Sequence, residues 1–255
     1  MTEIQSEAIM LKKQVFREQD LFVDLLLQKK GLIKAIAFGA ASNRSSRGRR
    51  CQPFKRLSIY LKKTKHNASQ KESYSILEIN ELAEGELLST AQIASSTHTT
   101  ITDTIFACAN YINECYLHLA AQFEKPKRAY NLYVQTVQQL TQAQDMLHIN
   151  QILRYFELEI LCFLGYDIRH NPKEDKTAHY YYDLQTGWQK SNESTGLHWQ
   201  SCQNLENLQA IDKQQLQCLK QHNQRLLNEL SHFKIEASRD WLKKQHLSTH
   251  YSATP

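Results

Sequence analysis

The six cysteines, Cys51, Cys108, Cys115, Cys162, Cys202 and Cys218, include no C-x-x-C pair, so no zinc knuckle or thiol redox motif is legible. No secretory h-region opens the chain, and no apolar run approaches membrane-spanning length. Free thiols without a signal predict a reducing, cytoplasmic setting. There is no G-x-x-x-x-G-K-[ST] loop, no G-x-S-x-G elbow and no dinucleotide fingerprint. The eleven histidines are scattered, with no H-x-x-x-H beside a carboxylate, and His98, His118, His148, His222 and His232 read as surface or core residues. Ser45 and Ser46 have no companion base nearby. The sequence predicts neither a catalytic centre nor a cofactor. The most informative absence is narrower. Between Leu25 and Lys71 there is no Asp or Glu, against 13 Lys and Arg.

That segment carries +13, whereas residues 1–24 carry −2 and residues 72–255 carry −6, so the net charge of +5 conceals a strong local bias. Apolar residues alternate with the charges, as in Ile33, Ala35 and Ala37 and again in Leu57, Ile59 and Leu61. Folded as strands, the segment presents a basic face over a buried one. Such a surface suits a polyanion, above all nucleic acid. The hydrophobic content of 41% in 255 residues is enough for a real core in one large domain or two modest ones.

Strand signals recur at residues 7–12, 21–27, 32–38, 54–62 and 74–82, and Leu21–Leu27 reads equally as a buried helical turn. The Ser-, Arg- and Gly-rich stretch from Ala40 to Pro53 reads as an exposed, mobile loop. Five short strands with basic turns predict a small barrel, and the oligonucleotide-binding barrel is the natural candidate. After Gly85 the period lengthens. Ile101, Ile105, Ala109, Ile112, Tyr116 and Leu119 share one helix face. Pro126 is placed to start a second helix, lined by Tyr130, Tyr133, Val134, Val137, Leu140 and Ala143. Residues 149–164 make a third, with Gly165 as its C-cap. Asn171-Pro172, the tyrosines at 180–182 and Gly187-Trp188 suggest an irregular or hairpin insert, before helical spacing returns at 216–230 and 235–242.

Taken in order, these stretches resemble the RecO family of bacterial recombination mediators. The resemblance rests on AIMLKK, REQD, GLIKAIAFGA, S-x-x-R and QPF, then YINECYLHL, AYNLYVQTVQQL and LRYFELEILCFLGY, and finally Ser238-Arg239 with Trp241-Leu242. It implies an α+β chain, with an oligonucleotide-binding barrel over residues 1–83 and a helical domain over 84–255, interrupted by an insert at about 166–205. It also implies binding of single- and double-stranded DNA, strand annealing and a complex with RecR. With RecR, it implies loading of RecA onto DNA coated by single-strand-binding protein. Many relatives carry four zinc-binding cysteines in the insert. Here residues 166–200 have none, so zinc ligands are missing and packing must hold the insert.

On this reading Arg44, Arg47, Arg49 and Arg50 reach phosphates, with Lys34, Lys55, Arg56, Lys62 and Lys63 on the adjoining face, because Arg offers planar paired donors to phosphate. Phe38 and Tyr60 are candidates to stack on bases, while Phe54 reads as core. The Phe156-Glu157-Leu158 segment reads as helix packing. Lys125, Lys127 and Arg128 with Tyr130 and Tyr133 could form a cationic, aromatic-walled groove for the acidic, apolar-ended tail of single-strand-binding protein. A solvated helix start explains those residues equally well. Two other classes stay open: a nuclease- or ligase-like enzyme, which needs clustered carboxylates for magnesium, and an RNA-binding barrel.

Overall fold

Period-2 alternation in the first third of the chain becomes five strands: β1 (Glu3–Val15), β2 (Leu21–Leu27), β3 (Gly31–Ala37), β4 (Lys55–Thr64) and β5 (Ser73–Glu86). The computed structural model describes residues 3–64, 73–88, 99–170, 175–191 and 196–231. Lys65, Lys71, His98, Asn171-Pro172, His232 and the expected 235–242 helix, with Ser238-Arg239 and Trp241-Leu242, lie outside the described residues.

The strands close a barrel in the order β1-β2-β3-β5-β4. Pairings are antiparallel except β3 with β5, where Ala35 faces Tyr74. Leu21, Val23, Leu25 and Leu27 of β2, Ile33, Ala35 and Ala37 of β3, and Leu57, Ile59 and Leu61 of β4 fill the interior. A register shift between Met10 and Lys12 bends β1, which lets one strand pair with both β2 and β4. Cross-strand pairing carries β1 and β5 beyond their apolar runs, so both are longer than the pattern indicates.

The Ala40–Pro53 stretch is not the mobile loop that its composition suggests. It contains a short helix, α1 (Ser46–Arg50), whose N-cap Ser45 accepts the Gly48 N–H at 2.9 Å. Gly48 is pressed against the preceding turn. A Cβ there would lie 2.1 Å from the Ser42 carbonyl oxygen and 2.8 Å from that of Ala40. Ala40 and Cys51, on either side of the helix, belong to the barrel core. Small residues and a side-chain cap thus order a segment that polarity alone marks as loop.

The remaining described residues are mainly helical, with a small sheet. The helices are α2 (Thr99–Leu119), α3 (Pro126–Thr141), α4 (Met146–Phe163), α5 (Trp199–Gln203) and α6 (Lys213–Ser231). None is long and apolar enough to cross a membrane. The chain forms two compact units, residues 1–95 with 112–138 and residues 96–111 with 139–255.

In the first unit Asn113 donates to the Leu11 carbonyl at 3.0 Å and accepts from the Tyr133 hydroxyl at 2.5 Å. The Tyr116 hydroxyl donates to the Ala129 carbonyl. In the second unit Gly165, with φ 91°, ends α4. Its N–H and that of Tyr166 close back onto the Cys162 and Leu161 carbonyls. The insert forms a regular sheet, β6 (His179–Asp183), β7 (Gly187–Ser191) and β8 (Leu197–His198), in the order β7-β6-β8. Where β8 stops, α6 takes over: His222 Nε2 accepts the Tyr182 N–H at 2.8 Å, and Arg225 donates to the Tyr182 carbonyl. Among the described residues no group of three or more His, Cys, Asp or Glu gathers as a metal site requires.

Candidate nucleic-acid interface

Outward-pointing positions on β2 and β3 decide what the barrel offers a polymer. On β2 the inward residues leave Phe22 and Asp24 outside. On β3 they leave Lys34 and Ile36 outside, with Phe38 just beyond the strand. Phe22 lies opposite Ile36, which puts Phe38 on its diagonal. Phe22 is 40% exposed and Phe38 47%. The turn after β1 adds Phe16, whose ring lies 3.9 Å from that of Phe22, and Arg17, whose guanidinium sits 4.9 Å from the Phe16 centroid. Exposed rings beside cations can stack on bases whatever their identity, because every base has a π-face.

Phe38 is a candidate on sequence grounds as well, whereas Phe16, Phe22 and Arg17 become candidates only from their place on this face. The available signal was the parity of Leu21–Leu27: a phenylalanine at an outward position between leucines and a valine has no core to fill.

Around this face the basic residues fall into distinct environments. Arg44 and Arg49 are exposed, and the Arg49 guanidinium donates to the Arg44 carbonyl at 3.1 Å. Arg47 donates to the Phe38 and Leu77 carbonyls, and Arg50 to the Ile79 carbonyl at 2.9 Å. Those two arginines pin α1 to β5 while leaving a cationic surface beside Phe38. Lys34 is 81% exposed and only 3.8 Å from Asp24. Burial pushes the Asp24 carboxyl above its ordinary range, against the pull of Lys34 and Lys12.

The face built by β1, β4 and β5 differs from the expectation of one basic surface. Lys55 pairs with Glu81 at 2.8 Å and Arg56 with Glu7 at 3.2 Å. Closure of the barrel is the reason, since it brings acids from β1 and β5 alongside β4, whose own neighbourhood in sequence has none. Tyr60, opposite Gln5 and Glu78, bonds the Glu3 carboxylate and is separated from Phe38 by β5. That hydrogen bond holds its hydroxyl above the ordinary tyrosine range. Lys62 is half-buried on the same strand, opposite Glu3, and Lys63 is exposed. Phe54 is core, 8% exposed.

The groove expected from Lys125, Lys127, Arg128, Tyr130 and Tyr133 is corrected. The three cations are exposed, but Tyr130 is 1% and Tyr133 0% exposed, so neither forms an open wall. Tyr130 turns inward because its hydroxyl meets Glu7, at 3.3 Å, and Tyr133 because it bonds Asn113. Burial pushes the Tyr130 hydroxyl up to about 12.

In the second unit Glu157 is fully buried. It accepts from Arg154 through two bonds of 2.7 Å, from Tyr111 at 2.8 Å and from Asn223 at 3.3 Å. This cluster joins α2, α4 and α6 and is packing, as the sequence predicts for the segment.

A five-stranded barrel closed in this order, with exposed rings and cations on its β2–β3 face, has the architecture of the oligonucleotide-binding barrel. The family model for the N-terminal region of recombination protein O matches residues 1–79, and that for its C-terminal region matches residues 104–238. The chain therefore belongs to the RecO family, recombination and repair mediators that are generally not catalysts. No curated protein matches it.

Proposed function

We propose that the protein binds single- and double-stranded DNA, anneals complementary strands and, with RecR, helps load RecA onto DNA coated by single-strand-binding protein. Residues 1–83 supply the principal DNA contact, and residues 84–255 supply contacts to other proteins. The observation that carries this reading is the pair Phe22 and Phe38, exposed on one face beside Lys34 and the arginines of α1. Arg44, Arg49 and Lys34 neutralise phosphates, Arg47 and Arg50 add charge while holding α1, and the rings stack on bases. Annealing needs no sequence readout. It needs two strands held with their repulsion screened and their pairing edges free.

The test is the rate of annealing of complementary oligonucleotides. Charge reversal at Arg44 and Arg49 leaves the contacts of Arg47 and Arg50 with β5 in place. The double variant Arg44→Glu, Arg49→Glu should fold normally and lose most of the acceleration. Annealing at the unaltered rate by a folded double variant would move the DNA path elsewhere.

A further inference from the structure

A second basic feature lies on the first unit, away from α1. The β2–β3 turn and the start of α3 border an open cleft of about 580 Å³ lined by Lys29, Lys125, Lys127 and Arg128, with Pro126 at its floor and Gln28 and Asn131 as its amides. The turn reaches α3 closely: a Cβ on Gly31, which turns the chain with φ 80°, would lie 3.6 Å from the Pro126 side chain. Among the described residues no acidic side chain lines the cleft, and Glu124, exposed just before it, is not part of its wall. Lys29 touches only the Gln5 carbonyl, at 3.4 Å, among the contacts described. This contrasts with β4, where Glu81 and Glu7 answer Lys55 and Arg56.

We infer that this cleft is a second phosphate-binding site, which holds the sugar–phosphate chain of nucleic acid by charge alone. The inference rests on the proposed DNA binding and deepens it. Lys29, Lys125 and Lys127, from two separate elements, suit a ligand with several anionic groups. The nearby tyrosines are buried, so among the described residues the wall is Pro126 and the aliphatic stems of the basic side chains, with no ring to stack on a base. A phosphodiester backbone, with a charge at every repeat, matches cations spread over two elements, and an acidic peptide with an apolar end is the competing occupant. The cleft sits at the start of β3 and α1 follows the end of β3. The seven residues of that strand set the two basic groups on the order of 20 Å apart, with Lys34 between them.

A contact made only to phosphates does not distinguish single from double strands. Replacing Lys29, Lys125 and Lys127 by Ala, with a Gln series as a second set, should weaken both kinds of DNA. The slope of log K against log salt should become shallower by about 2 for single strands and about 3 for duplex. Thermal melting reports the fold of each variant. The same variants are titrated with an acidic peptide that ends in an apolar residue with a free carboxylate. If folded variants bind both DNAs with the original slopes, the inference is overturned, whether or not they lose the peptide. Loss of peptide binding in that case would make the cleft a peptide site. Neither result touches the main reading, which fails only if the β2–β3 face variants also bind normally.

Discussion

Truncating Phe38 to Ala, and separately Phe22, removes stacking surface and little else. The rings are 47% and 40% exposed, so much of what they would contribute to a core is absent. A fully buried Phe→Ala change costs about 3–5 kcal/mol, and half-exposed positions should lose under about 2. Phe38 is the cleaner site, because Phe22 also packs on Phe16. Stacking on a base is worth about 1–3 kcal/mol, so each variant should bind single-stranded DNA roughly 5- to 150-fold more weakly. Duplex bases are already stacked on one another, so duplex affinity should hardly change. Fluorescence anisotropy with single- and double-stranded DNA of equal length, at one fixed salt concentration, measures both effects. An equal loss for the two substrates would mean that the rings support the fold rather than meet bases. No loss for either would remove them from the interface.

Two further predictions concern the second unit. Glu157→Ala leaves Arg154 buried without its carboxylate and should cost about 3–5 kcal/mol in urea unfolding, whereas Arg154→Met with Glu157→Leu should cost much less. Equal losses would show that the pair is not coupled. Burial, opposed by the Asn223 hydrogen bond and aided by the charge of Arg225, lowers the His222 imidazole to about 4. The neutral ring accepts the Tyr182 N–H. Between about pH 6.5 and 4 the unfolded chain binds a proton that the folded chain refuses, so stability is complete above 6.5 and falls as pH drops toward 4. The span is on the order of 3 kcal/mol. His222→Gln should flatten that part of the melting profile, and an unchanged profile would remove His222 as the cause.

Local pattern reveals the barrel strands because the inward positions of β2, β3 and β4 are almost uniformly aliphatic and their parity survives any topology. It also finds the helices and Gly165, since a 3.6-residue stripe and a left-handed cap are local features. Two kinds of information are missing from it. Salt bridges such as Lys55–Glu81 and Arg56–Glu7 join residues that only closure brings together, so a segment without acids looks more basic than its folded surface is. Burial of amphipathic side chains is equally hidden. The same periodicity that puts Tyr130 and Tyr133 on the apolar stripe of α3 argues against their use in a groove, and the structure resolves the conflict toward the core. Order in α1 depends on Ser45 and Gly48 meeting at short range, which a count of polar residues cannot register.

The central claim is that exposed cations of the barrel meet phosphates along the β2–β3 face. Its most direct test is the salt dependence of single-stranded DNA binding. Replacing Lys34, Arg44 and Arg49 together by Ala removes three contacts and should make the slope of log K against log salt shallower by about 2, with the melting temperature preserved. A folded triple variant that keeps the original slope would contradict the account.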